Sequence, residues 1–342
     1  MKLIFTLLFS IHTLIFVGQT LPDFVPDDID PQSTNIQAFC KPGLDNTSRS
    51  RGLDLSYTMN TASRFTEEKT PLSESLTSIN SLRNLLFDLK IPIINKDGFK
   101  LLLAYKYVQD DYDLGAIGAD FSTVFSGLEN EVLKGNDYGI IISKSIDENK
   151  YLAFYGKYGA KGNYEKWTSF DPKYAIYKAR LLFGKKPKED YEWGIGLNFT
   201  SSFRNTTMLP FIILNKNFND KWGFESVLPA YALMRYNLDK KNIFLGGMQV
   251  AGQTFRVDLP NDSMPDMPFD YSINRSEIRV TALWERQIVP WIWTSAQLGY
   301  QFHFTTKFEA KNDVSPTFDV DPTNSIFFNL SLFLSPPDEM MQ

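Results

Sequence analysis

From Arg51 onward the chain alternates apolar and polar residues with a period of two, in segments of about ten residues separated by turn residues. Over 191–200, Tyr191, Trp193, Ile195, Leu197 and Phe199 share one face, and Glu192, Gly194, Gly196, Asn198 and Thr200 share the other. Over 291–307 the apolar face reads Ile292, Ala296, Leu298, Tyr300, Phe302, Phe304, against Ser295, Gln297, Gly299, Gln301, His303, Thr305 and Lys307. Over 326–334, Ile326, Phe328, Leu330, Leu332 and Leu334 alternate with Phe327, Asn329, Ser331 and Phe333. A slip of one residue would exchange the faces, so the pattern fixes the register of each strand. A soluble β-sandwich alternates too, but its strands are usually shorter and its apolar side faces inward. Strands this long and this aromatic fit a barrel with lipid outside and a polar lumen.

Fourteen such segments are legible: 51–60, 83–94, 99–109, 136–146, 149–160, 173–184, 191–202, 207–216, 221–228, 230–238, 242–257, 274–287, 291–308 and 325–334. Short turns and longer polar links (61–82, 110–135, 161–172, 258–273, 309–324) largely alternate between them. That is the arrangement of a periplasmic and an outer rim. The expected fold is therefore all-β, a closed antiparallel up-and-down transmembrane barrel of about fourteen strands. If the short strands around Pro229 are one bent element, the count is twelve.

Charge placement sharpens the picture. A lysine or arginine facing lipid at mid-depth costs about 2–4 kcal/mol. Lys106, Lys157, Lys178, Arg180, Arg235, Arg279 and Glu277 all fall on the polar face, as do Lys90, Lys100, Lys307, Asp54, Asp88, Glu192 and Glu285. Two readings stand: a basic-leaning pore that focuses the field on anionic solutes, or an ion-pair lattice bracing a filled barrel.

The ends of the chain are of other kinds. Met1-Lys2, the apolar run Leu3–Val17 and Gly18 have the build of a secretory signal peptide, expected over 1–18. A Pro- and Asp-rich stretch follows, read as a flexible periplasmic lead-in over 19–50, then the barrel over 51–335 and a tail over 336–342. Cys40 is the only cysteine, so no internal disulfide forms. A net charge of −5 gives no support for nucleic-acid binding. The expected partners are outer-membrane lipid, the barrel-assembly machinery during biogenesis and small solutes, with no cofactor.

The run Trp222-Gly-Phe-Glu-Ser-Val-Leu-Pro229, then Arg235-Tyr-Asn-Leu238, Ser276-Glu-Ile-Arg279 and Trp284-Glu-Arg286 before the strand over 291–300, resembles an uncharacterised family of Gram-negative outer-membrane barrels. The resemblance covers roughly the C-terminal half and implies a barrel, with no assigned activity. The chain departs from it at the C-terminus, where Ser335-Pro-Pro-Asp-Glu-Met-Met-Gln342 trails beyond Leu334.

Candidate chemistry is sparse. Beyond the signal peptide His303 is the only histidine, and a Ser-His-acid hydrolase would need a serine held against it. In sequence the nearest hydroxyl on its face is Thr305; a partner from another strand stays open. Histidine or cysteine metal clusters are excluded by count. Asp258, Asp262, Asp266 and Asp270 recur every four residues, either as calcium ligands or as a solvated loop, and the interleaved prolines favour the loop. Trp167, Trp193, Trp222, Trp284, Trp291 and Trp293 read as interface girdles rather than a stacking track. The sequence thus points to a passive channel or transporter rather than an enzyme. A non-conducting scaffold, its interior filled by side chains or by 19–50, is the main rival, and a barrel-embedded lipid-modifying enzyme a third.

Overall fold

Hydrogen bonding runs without a break around the molecule. The computed structural model describes residues 44–336 except 45, 68–75, 119–121, 262–263, 314 and 316. The strands are β1 (Leu53–Asn60), β2 (Ser63–Glu67), β3 (Leu76–Lys96), β4 (Phe99–Leu114), β5 (Val132–Ser145), β6 (Lys150–Gly162), β7 (Ala175–Lys188) and β8 (Tyr191–Ser202). They continue as β9 (Thr206–Asn217), β10 (Trp222–Leu228), β11 (Tyr231–Asp239), β12 (Asn242–Leu259), β13 (Phe269–Val289), β14 (Ile292–Ala310), β15 (Phe318–Pro322) and β16 (Ser325–Leu334). One helix, α1 (Ser122–Glu129), lies between β4 and β5. From β2 to β15 each strand pairs antiparallel with the next, and β1 closes the ring on β16 from Leu53↔Leu334 to Asn60↔Phe327. Along β3, β1 and β2 lie end to end, and β16 and β15 do the same along β14. Sixteen segments therefore occupy fourteen places in the wall. β10 and β11 are separate strands joined at Pro229–Ala230, which settles the count at fourteen rather than twelve.

The alternation maps onto the two faces of the wall. On β16, Ile326, Phe328, Leu330, Leu332 and Leu334 are exposed, while Phe327, Asn329, Ser331 and Phe333 are buried. On β8, Ile195, Leu197 and Phe199 are exposed, and Glu192 and Thr200 are buried. Two aromatic rows cross neighbouring strands. Trp222, Tyr236, Phe244 and Trp284 are successive register partners near the short-turn end of β10–β13. Tyr105, Tyr138, Tyr158 and Tyr177 do the same toward the other end of β4–β7. Rings of this kind sit at membrane–water interfaces, and with the apolar band they give the architecture of a bacterial outer-membrane barrel. No described helix is long and apolar enough to cross a membrane.

Trp293 breaks the girdle expectation. It is almost completely buried and points inward at the short-turn end, near Phe333. It has the same parity as Ser295 and Gln297, so the strand's own alternation places it inside. Higher on β14, residue 304 has no register partner between Glu277↔His303 and Ser276↔Thr305. This bulge changes the phase, and Thr306 and Phe308 come to face inward.

The wall is uneven. β10 has seven residues and β11 nine, at or below the 9–11 that a tilted spanning strand uses. β12–β14 are twice as long, and the upper part of β12 leaves β11 and reaches across to β6, where Arg256 bridges Gly162. Under this overhang Val124, Phe125 and Leu128 of α1 pack with Phe255, Val257, Leu259, Tyr271 and Phe308 into an apolar core at the outer end. A second apolar cluster, including Tyr151, Phe211, Tyr231, Leu245, Trp293 and Phe333, lines the short-turn end. The expected polar lumen therefore survives as a middle zone between two apolar ones.

Leu330→Arg places a charge in the middle of the lipid-facing ladder of β16 and should lower stability by about 2–4 kcal/mol. Urea titration in phospholipid vesicles measures this. An arginine tolerated there would mean that this face does not meet lipid.

Candidate lumen site

Because side chains alternate strictly, half of each strand's residues must point into the ring, and a charge placed there has only other inward groups for company. The structure distributes the sequence-predicted residues over three groups instead of one site. In the first, on β3–β7, register brings Asp88, Lys106 and Asp137 side by side, and Lys157 opposite Lys178. Lys157 Nζ reaches Asp137 at 2.5 Å, Lys90 reaches Asp88 at 2.9 Å, and Lys106 and Lys178 are buried. Arg180 lies with its guanidinium 5.5 Å from the Phe211 ring centre.

The second group is centred on Arg235, fully buried, whose Nε donates to Glu225 at 2.7 Å and whose Nη2 donates to Asn217. Gly223 is the register partner of Arg235, and a Cβ there would come within 2.1 Å of the guanidinium. This explains the spacing Trp222-Gly-Phe-Glu followed by Arg235: the glycine clears room for the arginine, and the glutamate two residues on receives it.

The third group joins β13, β14 and β16. Arg279 donates to Glu277 at 2.5 Å and to Gln301 at 3.0 Å, and its guanidinium lies 4.6 Å from the Phe327 ring centre. Arg275 approaches Glu277 at 3.7 Å and Asp110 at 3.1 Å. His303 Nε2 meets Gln301 Nε2 at 2.8 Å and Ser325 Oγ at 3.3 Å, and its Nδ1 is 3.6 Å from Glu277. A serine from the neighbouring strand thus stands near the imidazole, with an acid behind it. Two facts weigh against hydrolysis. Gln301 Oε1 accepts from Arg279, so its amide N–H occupies the imidazole lone pair that would activate Ser325. The adjoining cavity is about 20 Å³, room for one or two waters and for no acyl group.

Several inward residues escaped the sequence reading although the alternation contained them. Asp137 shares a face with Ile141 and Ser143 on β5, and Asp110 continues the face of Lys106 because β4 runs on to Leu114 through residues read as loop. Glu225 and Arg275 complete the set. The inventory is consequently less basic than expected, since Asp110, Asp137 and Glu225 each receive a cation.

The segment before β1 enters the barrel. Residues 44 and 46–50 belong to the expected lead-in; 19–43 lie outside the described residues, as do the signal peptide and residues 337–342. Ser48 donates through its backbone N–H at 2.9 Å and its hydroxyl at 2.5 Å to Glu225. The Arg49 N–H reaches Glu285 at 3.2 Å, and its guanidinium lies 4.7 Å from the Trp293 ring centre. Arg51 binds Asp54 at 2.7 Å and Glu285 at 2.9 Å, over the ring of Phe333. This strap lies against the inward face at the short-turn end.

At the outer mouth, Lys173 holds Asp258 at 2.5 Å, and Arg256 holds Asp270 at 2.5 Å. Two of the four regularly spaced aspartates are thus strand residues in ion pairs, Asp266 lies in the loop, and Asp262 lies outside the described residues. No group of three metal-ligating side chains occurs among the described residues. Burial, with Asp258 adding to it, pushes the Tyr174 phenol up to about 12.

No protein-family model matches the chain, and no curated protein matches it. Solved structures of similar outline include an outer membrane channel from Pseudomonas putida F1, with 10% identity, 86% of this chain and 99% of that chain covered, and a TM-score of 0.38. The P. putida toluene transporter TodX is 8% identical over 83% of this chain and 89% of its own, with a TM-score of 0.40. A Pseudomonas aeruginosa FadL homologue gives 10%, the same coverage and 0.40. Scores this low define no shared fold. The barrel rests on its own closed ladder.

Arg235→Ala strands Glu225 in the interior and should cost roughly 3–5 kcal/mol. The double variant Arg235→Met, Glu225→Gln removes both charges and should cost clearly less, as read by vesicle unfolding. Equal losses would mean that the pair is not the source of the effect.

Proposed function

We propose that the protein is an outer-membrane channel or transporter for small solutes, caught in a closed state, with no catalytic step. The observation that carries this reading is the nature of the two closures. Neither belongs to the continuous wall: at the short-turn end residues 44 and 46–51 lie against the inward face, and at the outer end α1 packs under the overhanging core. Between them lies a polar zone with a cavity of about 50 Å³ bordered by Gln249, Arg275 and Arg279. Eight strands give a ring that side chains fill, whereas 16–18 leave a water channel. A ring of fourteen is wide enough to conduct once such pieces move. The inward cations remain candidates for selectivity, now each considered with its acidic neighbours.

The paired, densely packed interior favours a second reading, a rigid non-conducting scaffold. Planar-bilayer recording separates the two. The intact protein should be silent or nearly so, and a variant lacking both 44–50 and α1 should show discrete conductance steps while remaining folded. A folded but silent double deletion would remove the channel reading and leave the scaffold.

A further inference from the structure

We infer that the cavity at the waist of the barrel is a binding site for a small, uncharged, polyhydroxylated solute. The inference rests on the channel reading and deepens it by naming the class of solute. Three observations define the site, and the first is an unmet need. Asn60, on β1, is 5% exposed and makes no side-chain hydrogen bond to any described residue; its Oδ1 is shielded, which leaves the Nδ2 amide as the part of the carboxamide that can meet a solute. Ser56, four residues earlier on the same face, is 3% exposed, and its hydroxyl has no hydrogen-bond partner among the described residues. Both border the cavity. Buried polar groups in native proteins are nearly always hydrogen-bonded, so a group left open into a cavity marks the place of a bound partner.

The second observation is charge. Arg279 is taken up by Glu277 at 2.5 Å and Arg275 by Asp110 at 3.1 Å, so the two guanidiniums are answered by two carboxylates. A bound anion would have to compete with these contacts, and a bound cation would meet the arginines. What the lining offers beyond its internal pairs is neutral: the Asn60 carboxamide, the Ser56 hydroxyl and the linked amides of Gln249 and Gln297, themselves joined at 2.9 Å. Amides and hydroxyls supply donors and acceptors side by side. A vicinal diol matches that pattern, because each hydroxyl both donates and accepts.

The third observation is size. The cavity measures about 50 Å³, which corresponds to roughly four waters at about one probe sphere each. Four waters displace about the volume of a three- or four-carbon polyol, and a hexose exceeds it. The apolar clusters on either side make this the polar stop on the axis.

Saturation-transfer NMR on the full-length barrel in detergent tests the site with glycerol and erythritol as probes, against lactate and protonated ethanolamine of similar size. Transfer is expected to the two polyols and to neither ion. Asn60→Leu, which fills the cavity and removes the open carboxamide, should weaken polyol binding about tenfold, and the milder Ser56→Ala about threefold, as expected for losing one or two hydrogen bonds. Transfer to lactate or ethanolamine equal to that of glycerol would overturn the solute class. Absence of transfer from every probe, or signals unchanged in both variants, would overturn the site. Glycerol-driven swelling of vesicles containing the double deletion is the separate arm for the channel reading. Binding without swelling sinks transport and leaves the site; swelling without the binding effects sinks the site alone.

Discussion

The whole molecule depends on one constraint: inside a hydrocarbon layer no backbone N–H or C=O finds water, so each must find another backbone group. The chain meets it by pairing its first barrel strand with its last, through eight register partners from Leu53↔Leu334 to Asn60↔Phe327. Closure makes the strand number even and fixes which residues face lipid. It also governs where proline is tolerated. Pro92 lies at a register shift against β4, Pro187 within the irregularity between Lys185 and Lys188, and Pro229 in the turn between β10 and β11, where no ladder bond is lost. Pro210, opposite Leu197 on β9, lies beyond Ile212, where pairing with the short β10 ends, so on that side too no ladder bond is lost.

Closure also dictates the interior. Every outward leucine or phenylalanine obliges its neighbours in sequence to point inward, whatever their character. A ring of fourteen strands gathers many charges this way, and buried charges are costly unless paired. The structure answers with pairs between neighbouring strands, Asp88 beside Lys106 beside Asp137, and with the longer reach of Arg275 to Asp110. Glu225 is satisfied from two directions, by Arg235 across the wall and by Ser48 from the strap. Of the two readings the sequence left open, a basic-leaning pore and an ion-pair lattice, these contacts are of the second kind.

The wall was almost entirely legible. All fourteen places were visible as alternating segments, with ends within a few residues for most, because lipid and lumen impose opposite chemistry on successive positions. What escaped had no periodic signature. The five-residue strands β2 and β15 lie in segments that read as polar loops. The apolar side of α1 is eight residues long and has meaning only under the overhang of β12–β14. The bulge at residue 304 changes the phase of β14 without altering its composition. The strap was invisible for a different reason: Ser48 and Glu225 are 177 residues apart, and nothing local in Asn46-Thr47-Ser48 announces such a partner. The inward residues were mostly recoverable by parity, yet their grouping was not, since register between strands, and not sequence, decides which charge stands beside which.

The contacts at the two ends differ in kind. The outer core is held by the burial of Phe125, Leu128, Phe255 and Phe308, each contributing about 1.5–3 kcal/mol that is lost when water enters. No small perturbation replaces that. The strap is held mainly by hydrogen bonds from Ser48, Arg49 and Arg51 to Glu225, Glu285 and Asp54. Each of these bonds involves a charged partner and contributes about 1.5–3 kcal/mol, with the carboxylates buried among other inward groups. Arg49 and Arg51 also lie over the faces of Trp293 and Phe333. The two ends are thus held by contacts of similar strength but of different kind, apolar burial at the outer end and charge-assisted hydrogen bonds at the short-turn end.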